Sequence, residues 1–492
     1  MEKKKIFRNM NRCICISWLL CCFACNSWLD ITPEAQVNEK KMFETPEGFQ
    51  SVVNGIYVIA AKDNLYGGEL TWRLPDVMAQ YYDIYQTSHT YYAVNKFDYA
   101  EKQIKPKVES IWKELYFCIA NCKILLQNLD KVNPDFFTED YHYNMIKGEA
   151  LALRAFFHLD LLRLYAPAPI VKKNVLAIPY VEVYSNQITP HAYTQDVLTK
   201  IIRDLKAARE LLKTGDPIYF DRETFKNKIY KFTQPYHYDY FASYRAYRMN
   251  YYAVTGLLAR AYAYRNEGDD LKQASECALE IMDCGLFPFV EESEVSKSDA
   301  DSRDAIFSSE LIGCFGSGNL AKTFETYTAT GGDNTRLPLY YPDEIFYGES
   351  EDYRMRYLVV ENTKYEYITL KYKINNKIPF IRLSEMYYIQ AQYLGKTSLK
   401  DAQEILEQLR RKRGLNGSLD SRITKEEELI KEIVKDAQKE FLAEGQAFYM
   451  CKRFNLPVLK GNAAVTMKAE DYVLPIPDVE LEFGDRLSNL LK

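Results

Sequence analysis

Trp72, Tyr81, Tyr82, Tyr85, Tyr91 and Tyr92 crowd into twenty-one residues of chain, and they repeat no helical or strand period. Tyr236, Tyr238, Tyr240 and Tyr244 form a second such cluster, and Tyr340, Tyr341 and Tyr347 a third. A tyrosine ring is apolar over its face and polar at its tip, so it suits half-wet surfaces that must both stack and hydrogen-bond. Sugar rings present flat C–H faces that pack on such rings, while their hydroxyls take hydrogen bonds from nearby polar groups. The chemistry these clusters suggest is therefore ring stacking on a saccharide. Trp72, Tyr81, Tyr82 and Tyr85 lead the candidates, followed by Tyr91, Tyr92, Tyr340 and Tyr341, with Asp76 and Arg336 as hydrogen-bonding partners. The bland alternative is that the rings pin long loops onto the body of the fold, since many tyrosines are mostly buried. The chain carries 40 tyrosines, so many must serve that purpose.

Other chemistry is poorly supported. Gly316 to Thr323, GSGNLAKT, is one residue from a phosphate-binding loop, but Ala321 stands where close backbone approach to phosphate wants glycine. No convincing helix signal follows it. Asp299, Asp301 and Asp304 hint at calcium, yet the segment lacks the turn glycine and distal glutamate of a calcium loop. The histidines at 89, 142, 158, 191 and 237 are scattered, and no nucleophile, base or paired carboxylates can be singled out. Capture by stacking calls for no cofactor.

Five of the eleven cysteines precede residue 26. Lys3, Lys4, Lys5, Arg8 and Arg12 form a basic start, and Ile14 to Ala24 an apolar run too short for a permanent span, which needs about 20 residues. This is the layout of an export signal over residues 1–24. Small Ala24 then precedes Cys25, the expected new N-terminus and acylation site; Cys22 stands where such sites usually carry leucine. An ordinary signal peptide is the alternative. At about 0.8 kcal/mol per buried CH₂, several acyl chains on Cys25 would hold the protein firmly on a membrane. Cys118, Cys122, Cys277, Cys284, Cys314 and Cys451 read as small buried apolar residues.

Removing residues 1–24 takes away five basic side chains and one acidic, leaving 58 against 67, a formal charge of −9. A mildly acidic chain argues against a nucleic-acid partner, whose phosphates need a concentrated basic face.

After a polar tether over residues 25–45, helical periodicity dominates. Thr45 caps a helix with Pro46 at its first position, running to about Ala61. Further helices are predicted over Lys107–Leu129, Tyr141–Tyr165, Ala192–Leu212, Tyr251–Asn266, Leu271–Cys284, Arg382–Leu394, Leu399–Arg413 and Lys425–Tyr449. Two adjacent pairs resemble tetratricopeptide hairpins: Tyr393, Ala402 and Leu406 keep that repeat's spacing, and Tyr264, Gly268 and Ala274 keep it with one extra residue in the turn. Long connections lie at 67–105, 167–191, 213–247, 287–379 and 455–492, with a short strand expected over Ala305–Phe315; connections of that length are usually functional.

In combination, a set of blocks is similar to the SusD/RagB outer-membrane lipoproteins. They are CNSWLDITPEAQ after the export signal, FETPEGFQSVVNGIY, GEALALRAFFHLDLLRLYAPAPI, RMNYYAVTGLLARAYAYRNEGD, RLSEMYYIQAQ, EFLAEGQAFYMCKRF and YVLPIPDVELEFGD. They fall in the family's order and span nearly the whole chain after residue 24. The resemblance implies a mainly α SusD-like domain over residues 46–492, built on tetratricopeptide-type helix pairs with long loops and a few short strands. It also implies a lipid-anchored place on the outer surface of a Bacteroidetes cell. Such proteins capture glycans, in some members peptides, without catalysis, as a lid on a SusC-like TonB-dependent transporter. The family's sugar contacts lie in variable loops, so the resemblance assigns no contact residue. Rival expectations are a helical surface glycoside hydrolase, with two indispensable carboxylates, and a repeat scaffold for protein partners.

Overall fold

The computed structural model describes residues 40–183 and 187–485, and Cys25 lies outside them. The described residues from 50 to 485 form one compact unit. Helix α1 spans Pro46–Ala60, and the Thr45 hydroxyl accepts from Gly48 N at 3.2 Å, as the capping pattern predicts. Helix α2 (Lys105–Leu129) buries a stripe including Val108, Ile111, Leu115, Cys118, Cys122 and Leu125. Helix α3 (His142–Tyr165) is buried on nearly every side, as an all-round apolar helix must be. Helices α4 (Thr194–Gly215), α5 (Tyr251–Arg265) and α6 (Asp270–Asp283) follow, then α7 (Leu383–Leu394), α8 (Leu399–Arg411), α9 (Glu426–Glu440) and α10 (Ala447–Phe454).

From α2 to α10 each helix packs on the next, the arrangement of stacked helix pairs. The expected hairpins are α5–α6 and α7–α8. Their small residues, Ala274 and Ala402, are fully buried, and so is Leu406. All six cysteines beyond Cys25 are free and buried, as read from the sequence.

The strands pair two by two and antiparallel: β1 (Leu176–Pro179) with β2 (His191–Tyr193), β3 (Leu311–Gly316) with β6 (Lys377–Arg382), β4 (Val359–Glu361) with β5 (Tyr367–Thr369), and β7 (Leu459–Lys460) with β8 (Ala463–Ala464). The strand expected from Ala305 begins only at Leu311, because Phe307 takes a left-handed φ of 54° that breaks extension. A short helix, Leu320–Glu325, does follow β3, against the sequence reading.

The largest departure is the helix expected over Lys425–Tyr449. It breaks between Glu440 and Ala447, where Ala443 and Gly445 have φ of 62° and 69°. A Cβ on Gly445 would lie 2.5 Å from the Leu70 carbonyl oxygen, so only glycine allows that approach. The break turns Glu440 and Glu444 into a buried charge network. Glu440 accepts from Arg354 Nη1 at 2.7 Å, Arg382 Nη1 at 2.6 Å and Arg413 Nε at 2.9 Å. Glu444 accepts from Arg382 Nε at 2.8 Å and pairs with Lys371, while Glu310 pairs with Arg413 at 2.6 Å. Asp436 joins Arg354 and Lys439, and Glu349 holds Arg410 and Lys439. Buried charges persist only when paired and hydrogen-bonded in this way.

This chemistry makes the fold acid-sensitive. Burial opposes the charge on Glu349, yet Lys439 and Arg410 hold its pKa down to about 2. Its stabilisation is complete above the unfolded value of about 4.3 and is lost as pH falls toward 2. His158 acts in the same direction by another route. Its Nε2 accepts from Val181 N at 3.0 Å while Nδ1 lies 2.8 Å from the Arg154 carbonyl, so the ring is held neutral. Burial pushes its pKa down to about 3, so protonation favours the unfolded chain once pH drops below about 6.5. Thermal unfolding followed from pH 8 to pH 3 should show a plateau above neutrality and a falling midpoint from about pH 6.5. A midpoint unchanged down to pH 3 would contradict this reading.

Candidate glycan-binding surface

Three separate stretches of chain are stitched together by backbone bonds. Tyr340 N donates to Tyr81 O at 2.7 Å, Asp83 N to Pro338 O at 2.9 Å, and Leu339 N to Tyr367 O at 2.8 Å. The first and third tyrosine clusters therefore meet, and the β4–β5 hairpin joins them. That hairpin's turn is shaped by Asn362, whose Oδ1 accepts from Lys364 N at 2.8 Å and Glu366 N at 3.0 Å. Within the turn Tyr365 takes a left-handed φ of 60° and stands 86% exposed. A non-glycine residue in that conformation costs about 1–2 kcal/mol, and such outliers concentrate at functional sites.

A cleft of about 190 Å³ opens where the stretches meet, lined by Asp83, Ile84, Tyr85, Gln86, His89, Asp333, Arg336, Pro338 and Glu366. Tyr85 is 73% exposed at its edge. Tyr341 is 61% exposed, and its ring meets that of half-buried Tyr340 at 4.8 Å and 84°. Lys460 Nζ lies 4.5 Å over the Tyr340 ring. Tyr367 is also exposed.

Arg336 sits in the cleft, but its guanidinium is already engaged. It donates to Glu366 Oε1 at 2.8 Å, Asp333 Oδ1 at 2.7 Å and the Gly331 carbonyl at 2.7 Å. Its role is to hold Glu366 in place. The hydrogen bond from Arg336 keeps the Glu366 pKa below its ordinary value, so this carboxylate accepts hydroxyl protons rather than donating one.

Four of the expected stacking rings belong to the core instead. Trp72 is buried edge-on against Phe324, with ring centres 5.3 Å apart, and 5.0 Å from Tyr372. Tyr81 is fully buried with its hydroxyl donating to the Gln438 carbonyl. Buried Tyr82 donates to the Trp72 carbonyl at 2.6 Å, and buried Tyr91 to Glu69 Oε2 at 2.7 Å. These rings pin their loop to the helices and leave no face for a ligand. Asp76 is likewise sealed in, accepting from Gly445 N at 3.0 Å, and burial drives its pKa well up. Tyr92 is half-buried, with Lys96 Nζ 5.8 Å over its ring. Tyr82→Phe should thus cost about 1 kcal/mol of stability by urea unfolding, the usual worth of one such bond. Its ligand affinity should not change; a weakened affinity at unchanged stability would return Tyr82 to the surface.

Tyr365, Tyr367, Asp83, Gln86 and Glu366 were not singled out from sequence. The signal for the first two lies in TKYEY, where alternate tyrosines follow a turn-forming asparagine.

Residues 27–222 match a family model described as starch-binding and associating with the outer membrane, and residues 294–473 match that of the SusD family. A SusD-like protein of Formosa agariphila is 24% identical over 153 residues, 30% of this chain and 28% of that protein's length. A SusD superfamily protein of Bacteroides thetaiotaomicron aligns with TM-score 0.68 at 20% identity, over 89% of this chain and 98% of that one. A SusD-like carbohydrate-binding protein of Bacteroides vulgatus aligns with TM-score 0.69 at 18% identity, over 90% and 98%. A stack of helix pairs carrying long loops and short two-stranded sheets is the fold these structures share with this chain. The chain belongs to the SusD/RagB family, a family of outer-membrane-associated, carbohydrate-binding proteins. No helix among the described residues is long and apolar enough to cross a membrane.

Proposed function

We propose that this protein captures a neutral glycan without chemical change and passes it to a SusC-like TonB-dependent transporter, from the outer face of the membrane to which a lipid on Cys25 holds it. Tyr85, Tyr340 and Tyr341, joined by Tyr365 and Tyr367, supply the stacking faces. Glu366, fixed by Arg336, together with Asp83, Asp333 and Gln86, takes the sugar hydroxyls. The observation that carries the reading is the cleft itself: three distant stretches of chain meet there, and exposed Tyr85 stands beside Glu366 and Asp333, both held by Arg336. Three acidic residues line it and its arginine is already paired, which suits an uncharged sugar and opposes a sulfated or uronate one.

Gels containing a panel of soluble polysaccharides, with released reducing ends assayed in parallel, test this function. Retardation by a neutral glycan without release is expected. It should persist from low to physiological salt, because a neutral ligand has no charge to screen. Release of reducing ends would establish a hydrolase instead.

A further inference from the structure

We propose that residues 216–247 carry a second saccharide-binding surface, centred on Tyr238 and Tyr240 and sharing no residue with the cleft described above. Tyr238 is 88% exposed and Tyr240 68%, and neither side chain has a hydrogen-bond or ring partner among the described residues. Tyr238 sits in a turn closed by Asp239 N donating to Tyr236 O at 2.7 Å, and Tyr240 directly follows it. Its two central residues, His237 and Tyr238, have φ of 44° and 64°. Consecutive left-handed residues are ordinarily glycine or asparagine, so a histidine and a tyrosine here hold the turn at a conformational cost.

The turn is held from below. Asp239 accepts from Phe241 N at 3.0 Å, Ala242 N at 3.1 Å, Tyr141 Oη at 2.7 Å and His142 Nε2 at 2.7 Å. The root of the segment is tied by fully buried Arg245, which donates to Asp216 at 2.8 Å and to Glu149 at 2.6 Å. The result is a rigid support with two exposed rings at its tip. Rigid, pre-placed rings bind without a further ordering cost.

A cleft of about 420 Å³ lies alongside, lined by Tyr219, Phe220, Asp221, Arg222, Glu223 and Tyr252. Asp221 Oδ2 is 3.8 Å from His237 Nε2, which joins the cleft to the turn. The volume falls in the range of small-molecule sites. Asp221 and Glu223 disfavour a protein partner, since carboxylates are depleted at the centres of protein interfaces. Rings for C–H faces beside carboxylates for hydroxyls match a short stretch of neutral sugar chain. A long glycan would then engage both surfaces at once.

The test uses the full chain purified in detergent, with amylopectin, xylan, galactomannan and laminarin as probes in affinity gels. Tyr238→Ala/Tyr240→Ala alters only exposed side chains, and an unchanged thermal midpoint checks that the fold is intact. On whichever polysaccharide retards the unaltered chain, this variant should bind about tenfold more weakly through lost avidity. For a short oligosaccharide of the same glycan, calorimetric stoichiometry should fall from two to one. Unchanged affinity with a stoichiometry of one throughout would overturn the second surface and leave the first standing. Normal glycan binding with loss of a co-purifying transporter would also overturn it, and make this face a protein contact. Retardation of the unaltered chain by none of the probes would overturn the glycan reading of both surfaces.

Discussion

Glu440→Gln should lose about 3–5 kcal/mol of stability, the cost of removing one member of a buried ion set. Glu440 is fully buried and is the common acceptor for three buried guanidinium groups, from Arg354, Arg382 and Arg413. Glutamine keeps the volume but withdraws the charge, so three cations lose part of their compensation in a place water cannot reach. Burial opposes ionisation of Glu440, but Arg413, Arg382 and Arg354 outweigh it and hold the carboxyl well below its ordinary range. Glu349→Gln is the useful contrast, because its carboxylate is partly solvated and pairs at the edge of the same network. Urea unfolding of the two variants should place Glu440→Gln far below Glu349→Gln. A Glu440→Gln midpoint within experimental error of the unaltered protein would mean that the network contributes no net stability.

That network was invisible in the sequence. Glu310 and Arg413 are 103 residues apart and Arg354 and Glu440 are 86, and no local periodicity marks such partners. It also explains the one long helix that sequence reading drew too far. The apolar pattern runs through Phe441 and Leu442, but Glu440 and Glu444 can face their arginines only if the chain turns at Ala443 and Gly445. Helices whose burial follows a simple stripe were legible to within a few residues, as in α1, α2, α6 and α8. The hairpin spacing was legible for a related reason. A small residue at Ala274 or Ala402 is required by how closely two helices approach, and that requirement is local.

The site was legible only in part. Composition pointed to tyrosine-rich loops, and two of the three clusters do converge. It could not separate a ring facing solvent from one facing the core. Tyr81, Tyr82 and Tyr85 lie within five residues of one another, yet the first two donate to backbone carbonyls inside the fold and only the third reaches water. The difference is set by the bridge between Tyr82 and Leu339, a contact made across more than 250 residues. Tyr365 was passed over because its exposure depends on a turn whose shape only the folded hairpin reveals.

The second large effect is on ligand capture. Tyr85→Ala together with Tyr341→Ala removes two exposed rings that carry no core packing, so the thermal midpoint should stay within about 1–2 °C of the parent, the expectation for surface changes. Covering the face of an exposed ring removes apolar surface from water at about 25 cal/mol per Å², so losing two such faces should weaken short-oligosaccharide binding at this cleft by at least tenfold.

The most direct measurement is therefore calorimetric titration of the unaltered protein and the Tyr85→Ala/Tyr341→Ala variant with a short oligosaccharide of the retarding glycan, with reducing ends assayed on the same samples. A loss of binding at one site of at least tenfold, at unchanged thermal midpoint and with no reducing ends from either protein, is the predicted result. Equal affinity and stoichiometry in the two proteins, or reducing ends appearing with the unaltered protein alone, would contradict capture at this surface.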